Sequence, residues 1–300
     1  IFEASPEPLG AKHKAVLRFR TDGVSRMTGI PFKKVKVHKG IISNGEFVEP
    51  NIRSANNYSQ KVIGKALDRS IWNIQPAERY IAPENFYEQL LDRNKGRINW
   101  EHEIQPNEFI GLGSPAISTL PMNVALKLIS KLDFPSEYPV AAEFNFSPIT
   151  VKRWRIAACD VYQTIYYPDT GDHLYRASIT GDLLIAEYIN PLNLDIDDSV
   201  LHCPSNDFGF SSDLCLEIPD NNRRQKYGKI APIDDAWRKQ FQWMLTSRLN
   251  IYSLGRFATW RNILLDDLCN DITTIRAMMN AGGGYDLNKA VSKINSEKNV

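Results

Sequence analysis

The first third of the chain changes its hydrophobic period twice. Apolar and polar residues alternate in Val35–Glu49, and the run turns at Asn44-Gly45, which predicts a β-hairpin. Apolar residues then recur at helical spacing in Ser54–Leu67, where Ser54 is the expected N-cap, and in Ala82–Gly96, which has Pro near its start and Gly at its end. The pattern therefore predicts a hairpin followed by two helices.

The next segment returns to a β pattern and then to a helical one. Arg97–Ile104 alternates and predicts a strand, and Pro115–Met122 has the apolar run of a short buried strand. Asn123–Leu132 has helical spacing. Helix, strand, short strand and helix form the order that an α/β domain produces.

From Ser147 the chain becomes rich in strand-forming residues. Ser147–Tyr188 predicts an antiparallel sheet, with turns at Asp169–Asp172 and Gly181-Asp182. Helical spacing returns in Asp234–Leu249 and again in Leu265–Gly284. Because helices flank the strand-rich block on both sides, we predict a sheet domain that is inserted into an α/β domain.

Composition narrows the functional classes only slightly. The 300 residues contain 36 Lys and Arg against 35 Asp and Glu, so the net charge of +1 gives no support for nucleic-acid binding or a membrane-surface role. No apolar run reaches the ~20 residues that a membrane-spanning helix needs. The cysteines are widely spaced and lack metal-ligand spacing, which favours free thiols in a reducing, cytoplasmic compartment over disulfides or a metal site. The histidines are scattered, and we identify no Ser-His-Asp, Cys-His or paired-carboxylate arrangement.

The opening residues, IFEAS, have the composition of the end of a buried strand that carries one acidic residue. An acidic residue at the end of the second parallel strand of a dinucleotide-binding βαβ unit accepts hydrogen bonds from ribose hydroxyls. Glu3 is therefore a candidate ribose ligand. The alternative is that Glu3 is a solvent-facing strand end.

Several segments occur in a recognisable series. They are YIAPENFYEQLL, RINWEHEI, AISTLPM, YYPDTGDHLYRAS and YSLGRFATWRNILLDDLCNDI. Together they resemble the flavoprotein superfamily that contains UDP-galactopyranose mutase, protoporphyrinogen oxidase and the amine oxidases, and most closely its mutase branch. The resemblance runs from Ile1 to about Ala281.

This resemblance implies an α/β fold in which a Rossmann-like FAD-binding domain carries an inserted antiparallel-sheet substrate domain. The implied divisions are residues 1–146 and 231–284 for the FAD domain, 147–230 for the substrate domain and 285–300 for a polar tail. No GxGxxG turn occurs in the sequence. On this resemblance we expect the first strand, that turn and the first helix to precede Ile1, over about 30 residues.

The Gly255-Arg256 pair begins the most specific part of the resemblance. In the mutases such a pair precedes a helix whose N-terminus points at the flavin, where free N–H groups stabilise negative charge. Asp266 is the residue expected to cap that helix. Arg256 is implied in both cofactor and substrate binding, and Asn262 stands where the mutases have a tyrosine that contacts the substrate diphosphate.

Further cofactor contacts follow from the same resemblance. The backbone of Ile104 would meet the adenine, and Ser118 and Thr119 would lie near the cofactor at the end of a strand. Arg18 or Arg20 would neutralise phosphate as bidentate donors. Plain core and junction roles remain the alternatives for Ile104 and for the Ser-Thr pair.

The inserted sheet would supply the substrate pocket. Tyr162, Tyr166, Tyr167, Tyr175 and Arg176 are its candidate lining residues, although surface roles remain open for most of the tyrosines. Arg176 stands where the mutases hold phosphate or carboxylate. Since neighbouring strand residues face opposite sides, we expect Tyr175 and Arg176 to point in different directions.

The sequence thus predicts a flavin-dependent oxidoreductase or mutase that contains FAD and acts on a small amine or a sugar nucleotide. It assigns no catalytic residue. Two alternatives remain open, namely a flavin enzyme that tailors a nucleotide or a hypermodified DNA base, and a homologue without cofactor that serves as a binding protein.

Overall fold

A computed structural model of the chain describes residues 1–5, 17–66, 71–110, 115–130, 142–190, 200–219 and 224–281. The described residues form two compact units. The first comprises those within Ile1–Leu9, Leu91–Phe144 and Pro232–Val300, and the second those within Gly10–Leu90 and Asn145–Ala231. The polar tail predicted at 285–300 lies outside the described residues.

Helices and strands are mixed in the first half of the described chain. The described helices are α1 (Gly23–Thr28), α2 (Ile52–Ile63), α3 (Phe86–Asn94), α4 (Pro106–Ile110), α5 (Met122–Ser130), α6 (Asp235–Leu249) and α7 (Leu265–Ala281). The described strands are β1 (Arg18–Phe19), β2 (Lys33–Ser43), β3 (Glu46–Phe47), β4 (Ala77–Ile81), β5 (Ala116–Ser118), β6 (Phe146–Arg155), β7 (Tyr162–Tyr166), β8 (Leu174–Thr180), β9 (Leu183–Ile189), β10 (Leu216–Glu217), β11 (Arg224–Ile230) and β12 (Ile251–Ser253). Six successive strands, β6 to β11, follow α5.

The second unit is built on a ten-stranded mixed sheet. Its order is β1-β4-β2-β7-β8-β9-β6-β10, with β3 pairing β2 and β11 pairing β6. The β2–β7 pair is parallel, whereas β6 to β9 pair in antiparallel fashion. Neighbouring residues of β9, Leu184 and Ile185, belong to different apolar clusters, so this strand is buried on both faces.

The predicted hairpin and the antiparallel block are confirmed. At the hairpin turn Asn44 and Gly45 both have positive φ, 53° and 79°, as a two-residue type I′ turn requires. The predicted cap of the following helix is wrong. The Asn51 side chain, not Ser54, caps α2, and it accepts a hydrogen bond from the Ser54 N–H at 2.8 Å.

The first unit contains short parallel pairings. β5 pairs parallel with β12, and Phe2 forms a parallel bridge with Asn99. The strand predicted at Arg97–Ile104 is reduced to that bridge. Glu101, with φ of 55°, lies in a turn directly after it, and a residue in the left-handed region ends the extended run.

Candidate functional site

The carboxyl ends of β5 and β12 form one edge in the first unit, because the two strands are parallel. The Leu254 N–H donates to the Ser118 carbonyl at 2.9 Å just beyond the pairing. Ser118 and Thr119 therefore lie beside the start of the Gly255-Arg256 segment. In α/β sheets, ligands bind outside the carboxyl ends of the strands.

Ser118 is a buried polar residue at this edge. Its side chain is 8% exposed, and its Oγ makes no hydrogen bond with the residues that the structure describes. Next to it, the Met122 N–H at the start of α5 donates to the Phe257 carbonyl at 2.9 Å, which ties that helix to the segment after β12. The edge thus contains a hydroxyl with unused hydrogen-bonding capacity.

The backbone conformation at position 255 requires a glycine. Its φ is +100°, which side chains on L-residues rarely allow, and a Cβ at this position would meet nothing within 4 Å. The Gly255 carbonyl accepts hydrogen bonds from the N–H and Oγ1 of Thr259, at 2.9 and 2.7 Å. This tight turn carries Arg256, whose guanidinium carbon lies 5.9 Å from the centroid of the Phe257 ring.

The helix after this turn carries its own acids at its N-terminus. The Asp267 carboxylate accepts a hydrogen bond from the Leu264 N–H at 2.8 Å, and Asp266, which the sequence favoured as the cap, is buried in the first turn of α7. Both carboxylates lie where the helix dipole favours negative charge. Asn262, just before the helix, is exposed.

Glu3 and Ile104 belong to one neighbourhood of the first unit. The Glu3 N–H donates to the Asn99 carbonyl at 3.0 Å, and the Glu3 carbonyl accepts from the His102 N–H at 2.9 Å, two residues before the half-buried Ile104. The Glu3 carboxylate accepts a hydrogen bond from the Ser5 N–H at 3.0 Å. The opening segment therefore has a parallel neighbour, although the two segments pair through a single bridge.

Arg18 lies in the other unit. Its guanidinium donates to Thr164 Oγ1 and to the Ile179 carbonyl, both at 2.6 Å, and to Thr180 Oγ1. Burial, with a further contribution from Arg176, lowers the pKa of Arg18 to about 10. Arg18 and Arg20, the two candidate phosphate donors, both belong to the second unit, whereas the other predicted cofactor residues belong to the first.

A β-bulge in β8 changes the face of the sheet on which the Tyr175 side chain lies. The register with β9 shifts between Leu174 and Arg176, so Tyr175 is the extra residue. Tyr175 packs in the cluster of Ile185, on the face where Arg176 stands opposite Glu187. Tyr175 and Arg176 therefore share a face, and the expectation from simple alternation is wrong.

Arg176 already has an anionic partner. Its Nη2 donates to Glu187 Oε1 at 2.7 Å, and its Nε donates to the other carboxylate oxygen. Burial alone would raise the pKa of Glu187, but the charges of Arg176 and Lys229 outweigh it and lower that pKa to about 2. Tyr166 stands opposite Arg176 on β7 and packs edge-on against Tyr58, with ring centroids 5.5 Å apart.

A cavity of about 760 Å³ lies entirely within the second unit, between the sheet and the segment that leads from β4 into α3. Of the predicted pocket residues, Tyr162 is in its lining, whereas Tyr166, Tyr167, Tyr175 and Arg176 are not. Its volume is within the range of small-molecule sites.

Sequence reasoning missed the charged residues of this cavity. Arg153 and Arg155 both line it, and Arg155 contacts Glu84 and Asp182, each at 2.5 Å. In the sequence KRWR on β6, Arg153 and Arg155 are two residues apart. Residues at this spacing on a strand share a face, so the pattern could have indicated that both arginines line one pocket. Glu88, on α3, carried no comparable signal.

No protein-family model matches the chain, and no curated protein sequence matches it. Its fold is similar to that of a crystal structure of reduced UDP-galactopyranose mutase, with a TM-score of 0.61 and 13% identity, over 95% of this chain and 90% of that one. A protein from Pyrococcus furiosus superposes with a TM-score of 0.52 and 10% identity, over 95% and 92% of the two chains. The fold of the chain is therefore similar to that of these two solved structures.

The part of the chain that the structure describes contains neither a membrane-spanning helix nor a metal-binding cluster. No helix among them is long and apolar enough to cross a bilayer. Within the same ranges, no group of three His, Cys, Asp or Glu side chains is arranged to hold a metal ion.

Proposed function

We propose that this protein is a flavin-dependent enzyme of the mutase and amine-oxidase type, in which the first unit binds FAD. The main observation in support of this proposal is the edge formed by the carboxyl ends of β5 and β12, where Ser118 lies beside the Gly255-Arg256 turn. The fold shared with UDP-galactopyranose mutase supports the same proposal. The proposed substrate is a small amine or a sugar nucleotide.

The residues present fit the cofactor at three points. The buried Ser118 hydroxyl has no hydrogen-bond partner among the described residues, and none of their atoms lies within 4 Å of the position that a Cβ on Gly255 would take. Glu3 offers a carboxylate, and ribose hydroxyls are its natural donors. These residues would bind and orient FAD, and the bound flavin would supply either hydride acceptance or nucleophilic attack in its reduced form.

Glu3→Ala is expected to weaken retention of FAD about tenfold, because a charge-assisted hydrogen bond to ribose is lost. The measurement is the ratio of visible flavin absorbance to protein after dialysis of the natural protein and the variant. Glu103→Ala, an exposed acid of the same unit, is the matched control and should keep its flavin. Equal FAD content in Glu3→Ala and the natural protein would remove Glu3 from the cofactor site.

Arg256→Ala is expected to slow the reduction of the flavin by substrate at least about tenfold, because a charge-assisted contact at the flavin–substrate boundary is lost. Arg256→Lys should restore only part of the rate, since an ammonium keeps the charge without the bidentate fork. Asn262 replaces the mutase tyrosine, so Arg256 would carry more of any anion binding. The assay is stopped-flow reduction with amines and UDP-sugars, and the melting temperature serves as the control for folding.

If the flavin of Arg256→Ala is reduced as fast as that of the natural protein with every accepted substrate, the assignment of the site around Gly255 is wrong. A natural protein that binds no FAD at all would instead favour the cofactor-free binding protein. Flavin reduction that requires a nucleotide or a modified base would favour the nucleotide-tailoring enzyme.

A further inference from the structure

Two of the cysteines lie at the two ends of one segment of the second unit. Cys203 lies after β9, and Cys215 directly precedes β10. Two short 3-10 helices, Ser205–Phe208 and Ser212–Leu214, lie between them. Both cysteines have free thiols. The segment thus forms a short loop whose two ends each carry a thiol.

One ammonium group holds the two ends of this loop together. Lys152 Nζ, on β6, donates to the Leu201 carbonyl at 3.4 Å and pairs with the Glu217 carboxylate at 3.0 Å. The Lys152 side chain is only 9% exposed. Leu201 stands two residues before one cysteine, and Glu217 stands two residues after the other. These contacts therefore bring the two cysteines to one place.

The two thiols meet at this place. Cys203 and Cys215 both pack against the apolar cluster that contains Trp154 and Leu184. Their thiol groups lie within hydrogen-bonding reach of each other. A disulfide needs Cβ atoms about 3.5–4.5 Å apart, so thiols in such contact need only small side-chain rotations to form one.

The surroundings of the pair give the two sulfurs different roles. Burial, together with the hydrogen bond to Cys215, raises the pKa of Cys203 to about 12, so this thiol keeps its proton at neutral pH. Cys215 is half-buried, and its neighbours in the chain, Leu214 and Leu216, are 65% and 73% exposed. A small oxidant that arrives from solvent therefore reacts first with Cys215.

We propose that Cys203 and Cys215 are a reversible redox site that closes into a disulfide when a peroxide oxidises the protein. The Cys215 thiol reacts with hydrogen peroxide and gives a sulfenic acid and one water. The Cys203 sulfur then attacks the Cys215 sulfur, and the Cys203 proton leaves with the sulfenic hydroxyl as a second water. Two thiols and one peroxide thus give one disulfide and two waters. Exchange with a thiol such as glutathione reverses the reaction.

Thiol mapping of the natural protein tests this site. The protein is treated with hydrogen peroxide, and the remaining thiols are blocked with a maleimide before digestion. Trypsin leaves both cysteines on one peptide, because no Lys or Arg lies between Arg176 and Arg223, and chymotrypsin then cuts that peptide at Phe208 and Phe210. We expect the two halves to stay joined and to separate only after reduction. Maleimide on both halves, at a peroxide dose that oxidises the exposed Cys159, would overturn the proposal.

Single variants test the roles of the two sulfurs. Cys203→Ser should abolish the disulfide and leave a sulfenic acid at Cys215, which dimedone traps. Cys215→Ser should also abolish the disulfide but trap at least about fivefold less dimedone, because the remaining thiol keeps its proton. Cys159→Ser, at an exposed cysteine of the same unit, is the matched control and should form the disulfide as the natural protein does. Equal dimedone labelling of the first two variants would contradict the role assigned to Cys215.

The melting temperature reports whether the bond forms in the folded protein. Because the disulfide closes a loop, the oxidised protein should melt at least about 4 °C higher than the reduced protein. The difference should be absent in Cys203→Ser. An oxidised protein that melts at or below the temperature of the reduced protein would contradict a bond that fits the folded state. None of these measurements requires bound flavin, so they test the redox site independently of the proposed function.

Discussion

Replacing Glu187 with Gln is expected to lower the free energy of unfolding by about 3 kcal/mol, because it leaves the charge of Arg176 without its partner inside the sheet. The Glu187 side chain is 7% exposed and the Arg176 side chain 34% exposed. The estimate is therefore at the lower end of the range for a broken buried pair. Urea unfolding, followed by circular dichroism, measures the difference.

An exposed ion pair of the same sheet provides the control. Glu78 pairs with Lys34 at 2.8 Å, with both side chains more than half exposed, so Glu78→Gln should cost less than about 1 kcal/mol. Adding Arg176→Met to Glu187→Gln should recover part of the loss, because the unpaired charge is then gone. Equal effects of Glu187→Gln and Glu78→Gln would contradict a stabilising role for the buried pair.

The contribution of Glu187 should also depend on pH. Its pKa in the folded protein is about 2, below the ordinary value of 4.5, because Arg176 and Lys229 outweigh the effect of burial. The folded state therefore binds fewer protons than the unfolded state between these values. The stability difference between the natural protein and Glu187→Gln should be constant above pH 4.5 and shrink as the pH falls towards 2.

Gly228→Ala is expected to lower the free energy of unfolding by about 2–3 kcal/mol, because the strand contact leaves no room for a methyl group. A Cβ on Gly228 would lie 2.5 Å from both Cγ atoms of Ile149, which is only 3% exposed. Gly228 lies on β11, opposite β6, where the register of the pair is irregular. Equilibrium unfolding again provides the measurement.

Gly40→Ala is a matched control for this crowding. Its Cβ would lie 2.9 Å from the Phe47 ring, but that side chain is 60% exposed and can move aside. The expected cost is below about 1 kcal/mol. In an Ile149→Ala background, Gly228→Ala should cost less, because both Cγ atoms are gone and only the contact with Cβ of residue 149, at 2.9 Å, is left. An equal cost in both backgrounds would show that the Cγ atoms of Ile149 do not cause the effect.

Short-range sequence signals determined several elements of this protein. Asn44-Gly45 specifies its hairpin because both residues tolerate positive φ, and Asp234 starts α6 by accepting a hydrogen bond from the Trp237 N–H. The alternation in Ser147–Tyr188 predicted the antiparallel strands. In each case the cause and its effect lie within a few residues of one another.

The candidate flavin edge was predicted in part. The order of motifs put Ser118 and the Gly255-Arg256 pair at strand ends, and the parallel pairing of β5 with β12 brings them together. The prediction of a strand at Arg97–Ile104 was wrong, because the turn at Glu101 ends the extended segment after one bridge.

Only the tertiary structure decided which side chains share a face and which charges find partners. The bulge that puts Tyr175 beside Arg176 exists because β8 and β9 pair with one extra residue. The buried position of Arg18 likewise depends on residues far away in the chain. Sequence patterns indicate local backbone preferences and the alternation of apolar and polar residues. Strand partners, buried ion pairs and cavities arise from contacts between distant segments, and the energies of those contacts cannot be read from a local pattern.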